Sequence, residues 1–149
     1  MFAATYSATR SAPMLANAYR QVGTETGISG ATPHKLVQML FDGFSEAVAQ
    51  ARGALRGRQI EAKGRAISRA LAILGDGLQA GLNMSAGGRL AADLDDLYTY
   101  VALRLTQANL RNDESALDEC VALMEPIRSA WAQIASQAAN SPSYRVAYA

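Results

Sequence analysis

Between Gly87 and Asp113 the chain reads GGRLAADLDDLYTYVALRLTQANLRND, and no other stretch limits the fold so tightly. Leu90, Leu94, Leu97, Tyr98, Val101, Leu105 and Ala108 recur three and four apart, the spacing that lines one side of an α-helix. Three apolar residues fall off that stripe. At about 100° per residue, Leu103 and Leu110 project roughly 160–180° from its middle, and Tyr100 nearer 120°. Asn109 is a polar residue near the stripe's end. A helix with apolar residues on two faces has two things to touch. One is its own bundle. The other is a neighbouring helix, a second subunit or another protein.

The same spacing predicts three further helices. Thr32-Pro33 is a start signal, with Thr at the N-cap and Pro at the first helical position. The helix from Pro33 to about Leu55 carries Leu36, Leu40, Phe41, Phe44, Val48, Ala51 and Leu55, and Gly57 stops it. A second helix runs from about Gln59 to Asn83 with a core stripe of Ile60, Ile67, Leu71, Leu74, Leu78 and Leu82. It has a second stripe as well: Ala62, Ala66, Ile73, Gly77, Ala80 and Met84. Gly75, Gly77 and Gly81 each cost about 1 kcal/mol of helix propensity relative to Ala, yet they let another backbone come close. That backbone belongs either to a neighbouring helix of the same bundle or to a partner. Ser85 to Gly88 is a short turn into the central helix. Asn112-Asp113 closes that helix and caps the last one, which runs from Glu114 to about Ala139 with Leu117, Val121, Met124, Ile127, Trp131 and Ile134. Pro126 lies inside it and should kink it.

Short turns between helices of this length predict an all-α fold: an antiparallel up-down four-helix bundle over residues 31–139. Residues 1–30 form an N-terminal extension with a short helix or hook, and residues 140–149 a flexible tail. Leu15, Ala18, Tyr19 and Val22 have helical spacing. The Gly23–Gly30 stretch would let them swing over the bundle's own groove as a lid, with the Tyr19 hydroxyl at the wet rim.

The totals narrow the function. Of 149 residues, 50% are hydrophobic and 18% charged, and the net charge is +1. A nucleic-acid binder would show a basic patch or stripe, so no nucleic-acid partner is expected. No run approaches 18 apolar residues, so no direct membrane insertion is expected. The N-terminus lacks a basic segment followed by an apolar run, so no secretory signal is read there. The single cysteine, Cys120, excludes an intrachain disulfide and points to a reducing compartment.

Convergent catalytic chemistry is missing. His34 is the only histidine, at a helix start, and reads as structural. Cys120 lies on an apolar side and should be inert. Asp93, Asp95 and Asp96 suit a helix N-terminus. No Glu-x-x-His pair for a di-metal bundle is present, and no Gly-Lys-Thr/Ser follows Gly87-Gly88. No enzyme activity, cofactor or metal is expected. Asn109 has two readings: a buried amide that fixes helix register, or an amide that holds the backbone of a bound segment. The residues expected to meet a partner are Tyr19, Ala66, Ile73, Gly77, Ala80, Tyr100, Leu103, Asn109 and Leu110.

Five stretches carry a resemblance. They are Ala18-Tyr19-Arg20-Gln21-Val22; Ala31 through Gly43, ATPHKLVQMLFDG; Ala80-Gly81-Leu82-Asn83 with Gly87-Gly88; Leu94 through Tyr100; and Ala108-Asn109 through Asp113 with Trp131. In these the chain resembles the flagellin-specific export chaperones, the FliS family, in order over residues 16–137. Family members carry an apolar residue three positions before the N-terminal tyrosine, where this chain has Ala16 beside Leu15. The resemblance implies a small cytoplasmic helical bundle. It would hold the C-terminal segment of newly made flagellin, prevent premature polymerisation and deliver it to the flagellar export machinery. For some members it also implies binding of an anti-sigma factor. Two adjacent helices with second apolar stripes would make a groove for amphipathic helices. A rival reading is a self-associating structural bundle whose off-core residues form a homodimer interface.

Overall fold

Thr32 opens the first helix as its residue type demands, its Oγ1 accepting from the Lys35 N–H at 3.1 Å. This is the first residue that the computed structural model describes; the description covers residues 32–134. The expected hook and lid, with Tyr19, and the expected C-terminal tail lie outside the described residues. Four α-helices follow: α1 Pro33–Arg56, α2 Ile60–Ala72, α3 Met84–Arg111 and α4 Glu114–Gln133. A π-helical segment, Ile73–Gln79, continues α2.

Polar ties between helices give the topology. Arg128 pairs with Asp42, Arg52 with Asp118 and Arg56 with Glu114. Numbers rise on α1 as they fall on α4, the mark of antiparallel neighbours. Lys63 reaches Asn109, whereas Gln79 reaches Asp95 and Thr99, so α2 and α3 also run antiparallel. α1 packs on α2 and α4, and α3 packs on α4 and on the α2–π rod. The four rods close a ring around Phe41, Phe44, Val48, Ile67, Leu74, Leu78, Tyr98, Val101, Leu105, Leu117 and Met124.

Local chemistry explains the joints and corrects several expectations. Gly57 caps α1, but Arg58 takes the left-handed backbone at φ 57°, and the Gln59 N–H returns to the Ala54 carbonyl at 2.8 Å. Asn112 ends α3 at φ 50°, and Asp113 caps α4 by accepting from the Ser115 N–H at 3.0 Å. The second helix is not one α-helix to Asn83. Its Ala80 N–H bonds to the Gly75 carbonyl, the wider π spacing, across two weak helix formers, Gly75 and Gly77. Ser85 to Gly88 is not a plain turn: Asn83 caps a first helical turn from Met84, and the bend falls at Gly88, φ 57° and ψ −133°. α4 continues through Pro126 as one helix. The carbonyl it cannot bond is that of Ala122, an exposed residue.

Two residues placed in the core stripes are outside it. Ile60 is 58% exposed and Leu90 47%. Ile60 is the first residue of α2, beyond the last core layer. Leu90 follows the Gly88 bend, and Ala91 fills the core position beside it. Two residues placed on the outer stripe of the second helix are instead inside. Ala66 and Ile73 are buried, because that stripe lies along the seam with α1, which packs on both α2 and the π segment.

Candidate partner-binding surface

α3 turns Tyr98, Val101, Leu105 and Ala108 inward, all fully buried. The same 3.6-residue turn then carries Tyr100, Leu103 and Leu110 outward. They are 42%, 53% and 77% exposed, as expected for side chains far from the core direction. Leu103 and Leu110 are seven residues apart and stand one above the other, roughly 10 Å along the axis. Tyr100 sits on the other flank of this ridge, toward α4. Its hydroxyl donates to Glu119 Oε2 at 2.6 Å, and Arg104 Nε donates to Glu119 Oε1 at 2.6 Å. Those two bonds, Tyr100's first, hold the Glu119 carboxyl below its usual range, and the Glu119 bond raises the Tyr100 phenol. The ring is therefore held in one orientation while part of it faces solvent.

Asn109 lies half-buried on the side of α3 that faces α2. Its backbone carbonyl accepts from Lys63 Nζ at 2.9 Å, and Lys63 Nζ also donates to the Asn112 side chain. Lys63 is only 3% exposed. A cation at the last carbonyls of α3 suits the helix dipole and satisfies an end that has no intrahelical partner. The Asn109 side-chain amide has no hydrogen-bond partner among the described residues. Lys63, a residue that sequence reasoning missed, thus ties this end of α3 to α2. Its signal was available: a lysine in the Ile60, Ile67, Leu74 stripe, where only apolar residues were sought.

The remaining predicted residues divide. Gly77 is half-buried in the π segment and Ala80 exposed just after it. Ala66 and Ile73 line the α1 seam. The expected groove between α2 and α3 is bridged by Lys63 at one end. Toward the other, Gln79 Nε2 donates to Asp95 Oδ1 at 2.8 Å and to Thr99 Oγ1 at 2.9 Å. Exposed apolar side chains remain along this pair of rods. Ile60 and Leu110 stand at the Lys63 end, Leu103 midway, and Ala80 and Met84 at the far end. Of these, sequence reasoning left Ile60 and Met84 out of the partner set.

The groups that could do chemistry are used in packing. His34 stacks on Trp131, with ring centroids 4.7 Å apart and planes within 7°. Its Nε2 lies 2.9 Å from the Trp131 carbonyl, and Trp131 Nε1 donates to the His34 carbonyl at 3.0 Å. Burial pushes the Cys120 thiol up to about 12, so the thiolate that reacts is scarce at neutral pH. Among the described residues no group of His, Cys, Asp and Glu could hold a metal ion, and no helix is long and apolar enough to cross a membrane.

The chain is similar in sequence to known proteins. A family model described as "Flagellar protein FliS" matches residues 15–138. The chain is 45% identical over 126 residues to "Flagellar secretion chaperone FliS" of Salmonella typhimurium, spanning 85% of this chain and 93% of the relative. It is 47% identical over 113 residues to "Flagellar secretion chaperone FliSB" of Pseudomonas aeruginosa, spanning 76% and 89%. The Bacillus subtilis FliS chaperone is 32% identical over 109 residues, spanning 73% and 80%.

Proposed function

This chain belongs to the FliS family, and from that premise we propose that its bundle holds the C-terminal segment of flagellin on the outer side of α2 and α3. The chain is an export chaperone of the flagellar secretion pathway, and its family is one of chaperones, not enzymes. The comparisons lend no support to the self-associating structural bundle. One observation carries the finer reading: Leu103 and Leu110 are left exposed on a helix whose opposite face is fully buried. Large apolar side chains along one line mark a partner surface, and an amphipathic helix covers such a line with its own apolar face. From Leu110 back to Arg89, where the Gly88 bend begins, α3 is roughly 32 Å long, enough for a helix of about 20 residues.

In this reading Tyr100, Leu103, Leu110 and Ala80 supply apolar contact, and the Asn109 amide holds the bound backbone. Flagellin's polymerising segment is covered until the flagellar export machinery takes it. The work is done by equilibrium binding in the cytoplasm. An anti-sigma factor that binds would meet the same surface and compete with flagellin. Light scattering tests the core of the proposal. A 1:1 complex with full-length flagellin, and none with flagellin lacking its C-terminal segment, is expected. Undiminished binding of the truncated flagellin overturns the assignment of that segment.

A further inference from the structure

A second surface lies on the opposite side of α2. There α1 and α2 meet through Gly53, Ala54, Ala62 and Ala66, and leave a concavity of about 470 Å³. A side-chain carbon at Gly53 would meet no atom within 4 Å, so the floor is open as well as apolar. Gln50, Arg65 and Arg69 line the same hollow. At about 100° per residue, Arg65 and Arg69 point roughly 130–170° away from the α2 core direction set by Lys63, Ile67, Ala70 and Leu74. They project away from the α3 side as well.

Most of the arginines outside this hollow are held by carboxylates. Arg52, Arg56, Arg104 and Arg128 each pair with a carboxylate at 2.5–2.8 Å. Among the described residues, Arg58, Arg65, Arg69 and Arg111 have no ion-pair partner; Arg111 stands at the end of α3, and Arg65 and Arg69 line this hollow. Arg69 makes only a 3.5 Å contact to the Gln50 side-chain oxygen. Glu61, one turn before Arg65, is exposed and also unpaired. Arg65 and Arg69 are one helical turn apart, about 6 Å along the axis. That is the spacing of two carboxylates at i and i+4 on a helix laid alongside. Arginine forks suit carboxylates, and a floor of alanine and glycine accepts a helix carrying small apolar side chains between its acids. A nucleic acid fits less well, because the floor is apolar and the net charge of the whole chain is only +1.

We propose that the α1–α2 hollow, with Arg65 and Arg69 at its rim, docks an acidic helical segment of a partner protein while the α2–α3 side remains open to flagellin.

The test uses the full chain, labelled with nitrogen-15. It is titrated with a capped alanine-based helical peptide carrying Glu pairs at i, i+4, and with the same peptide carrying Gln in their place. Saturable shifts at Gly53, Ala62 and Ala66 are expected with the Glu peptide, and at least tenfold weaker binding with the Gln peptide. Two variants carry the argument further. Arg65→Glu with Arg69→Glu reverses the rim charge, and Ala62→Leu fills the hollow without touching charge. Each should weaken the Glu peptide at least tenfold and change the flagellin Kd less than twofold. Absence of saturable shifts overturns the proposal, as does full binding by Ala62→Leu. An equal loss of flagellin affinity in these variants overturns the independence of the two surfaces. A single-stranded oligonucleotide that binds as tightly as the Glu peptide overturns the assignment to protein.

Discussion

Truncating Leu103 and Leu110 together to Ala should separate binding from folding. Full burial of a Leu side chain contributes about 1.5–3 kcal/mol. Leu103 is 53% exposed and Leu110 77%, so a partner that covers both removes roughly two thirds of two leucines from water. The expected loss is about 2–4 kcal/mol of binding, or roughly thirty-fold or more in Kd. Folding should barely respond, since exposed substitutions mostly stay within about 0.5 kcal/mol. Ile73→Ala is the contrast. Ile73 is 3% exposed and packed in the core, so its truncation should cost about 2–5 kcal/mol of stability through the cavity it leaves. Calorimetric titration with one flagellin C-terminal peptide reads the first quantity, and urea denaturation the second. A Leu103→Ala, Leu110→Ala protein that binds within twofold of the parent refutes the surface. One that loses 2 kcal/mol or more of stability refutes the exposure on which the reasoning rests.

Lys63→Met leaves the Asn109 carbonyl without its side-chain donor and should lower unfolding free energy by about 1–3 kcal/mol, whereas Asn109→Ala should leave melting unchanged and cost flagellin binding a similar amount; the reverse pattern refutes the division of roles. Hydrogen bonds hold three carboxyls below their usual range: Asp113 through Ser115, Glu114 through Arg56, and Glu119 through Tyr100 and then Arg104. Their stabilisation is complete above the ordinary carboxylate pKa and is lost as pH falls through the lower folded values. The melting temperature should therefore decline only in acid, below about pH 4, and less steeply in Glu119→Gln; an unchanged acid slope in that variant refutes the link. Deleting Met1 to Val22 should tighten flagellin binding several-fold, since a lid favoured by about 1.4 kcal/mol weakens apparent affinity about tenfold; equal or weaker binding by the truncated chain removes the lid.

The ring of four helices was legible because each core stripe is long and two of the caps are explicit: Thr32-Pro33 and Asn112-Asp113. The outward trio on α3 was legible for an angular reason. Tyr100, Leu103 and Leu110 stand roughly 120–180° from the direction of Tyr98, Val101, Leu105 and Ala108, too far round for the core to cover them, and only the Tyr100 hydroxyl reaches a neighbour, at Glu119 of α4. Ile73 and Ala66 stand only about 70–90° from the core direction of α2, where a neighbouring helix closes over them. Periodicity alone displays two apolar stripes in both cases and does not say which neighbour covers the second. The π segment was not legible either, because glycine at 75 and 77 lowers α-helical preference without specifying the wider turn. Lys63 was missed because its charge is answered by backbone and amide groups at the end of another helix, forty-six residues away, and no local pattern encodes that meeting.

The seams themselves suggest why two faces stay free. α1 and α4 are tied by three arginine–carboxylate pairs, α3 and α4 by the Glu119 cluster, and α2 and α3 by Lys63 and Gln79. At the α1–α2 seam the only side-chain bond described is the long Arg69–Gln50 contact. Small residues bring those two helices together, so that seam needs no charge to align it and its arginines stay available. Exposed ion pairs each contribute little, about 0–1 kcal/mol, but they set register. A bundle whose register is held on three seams keeps Leu103, Leu110 and Tyr100 in one arrangement before a partner arrives. Less ordering then opposes binding. Prior order of this kind lets modest interactions hold a partner without a large cost in ordering.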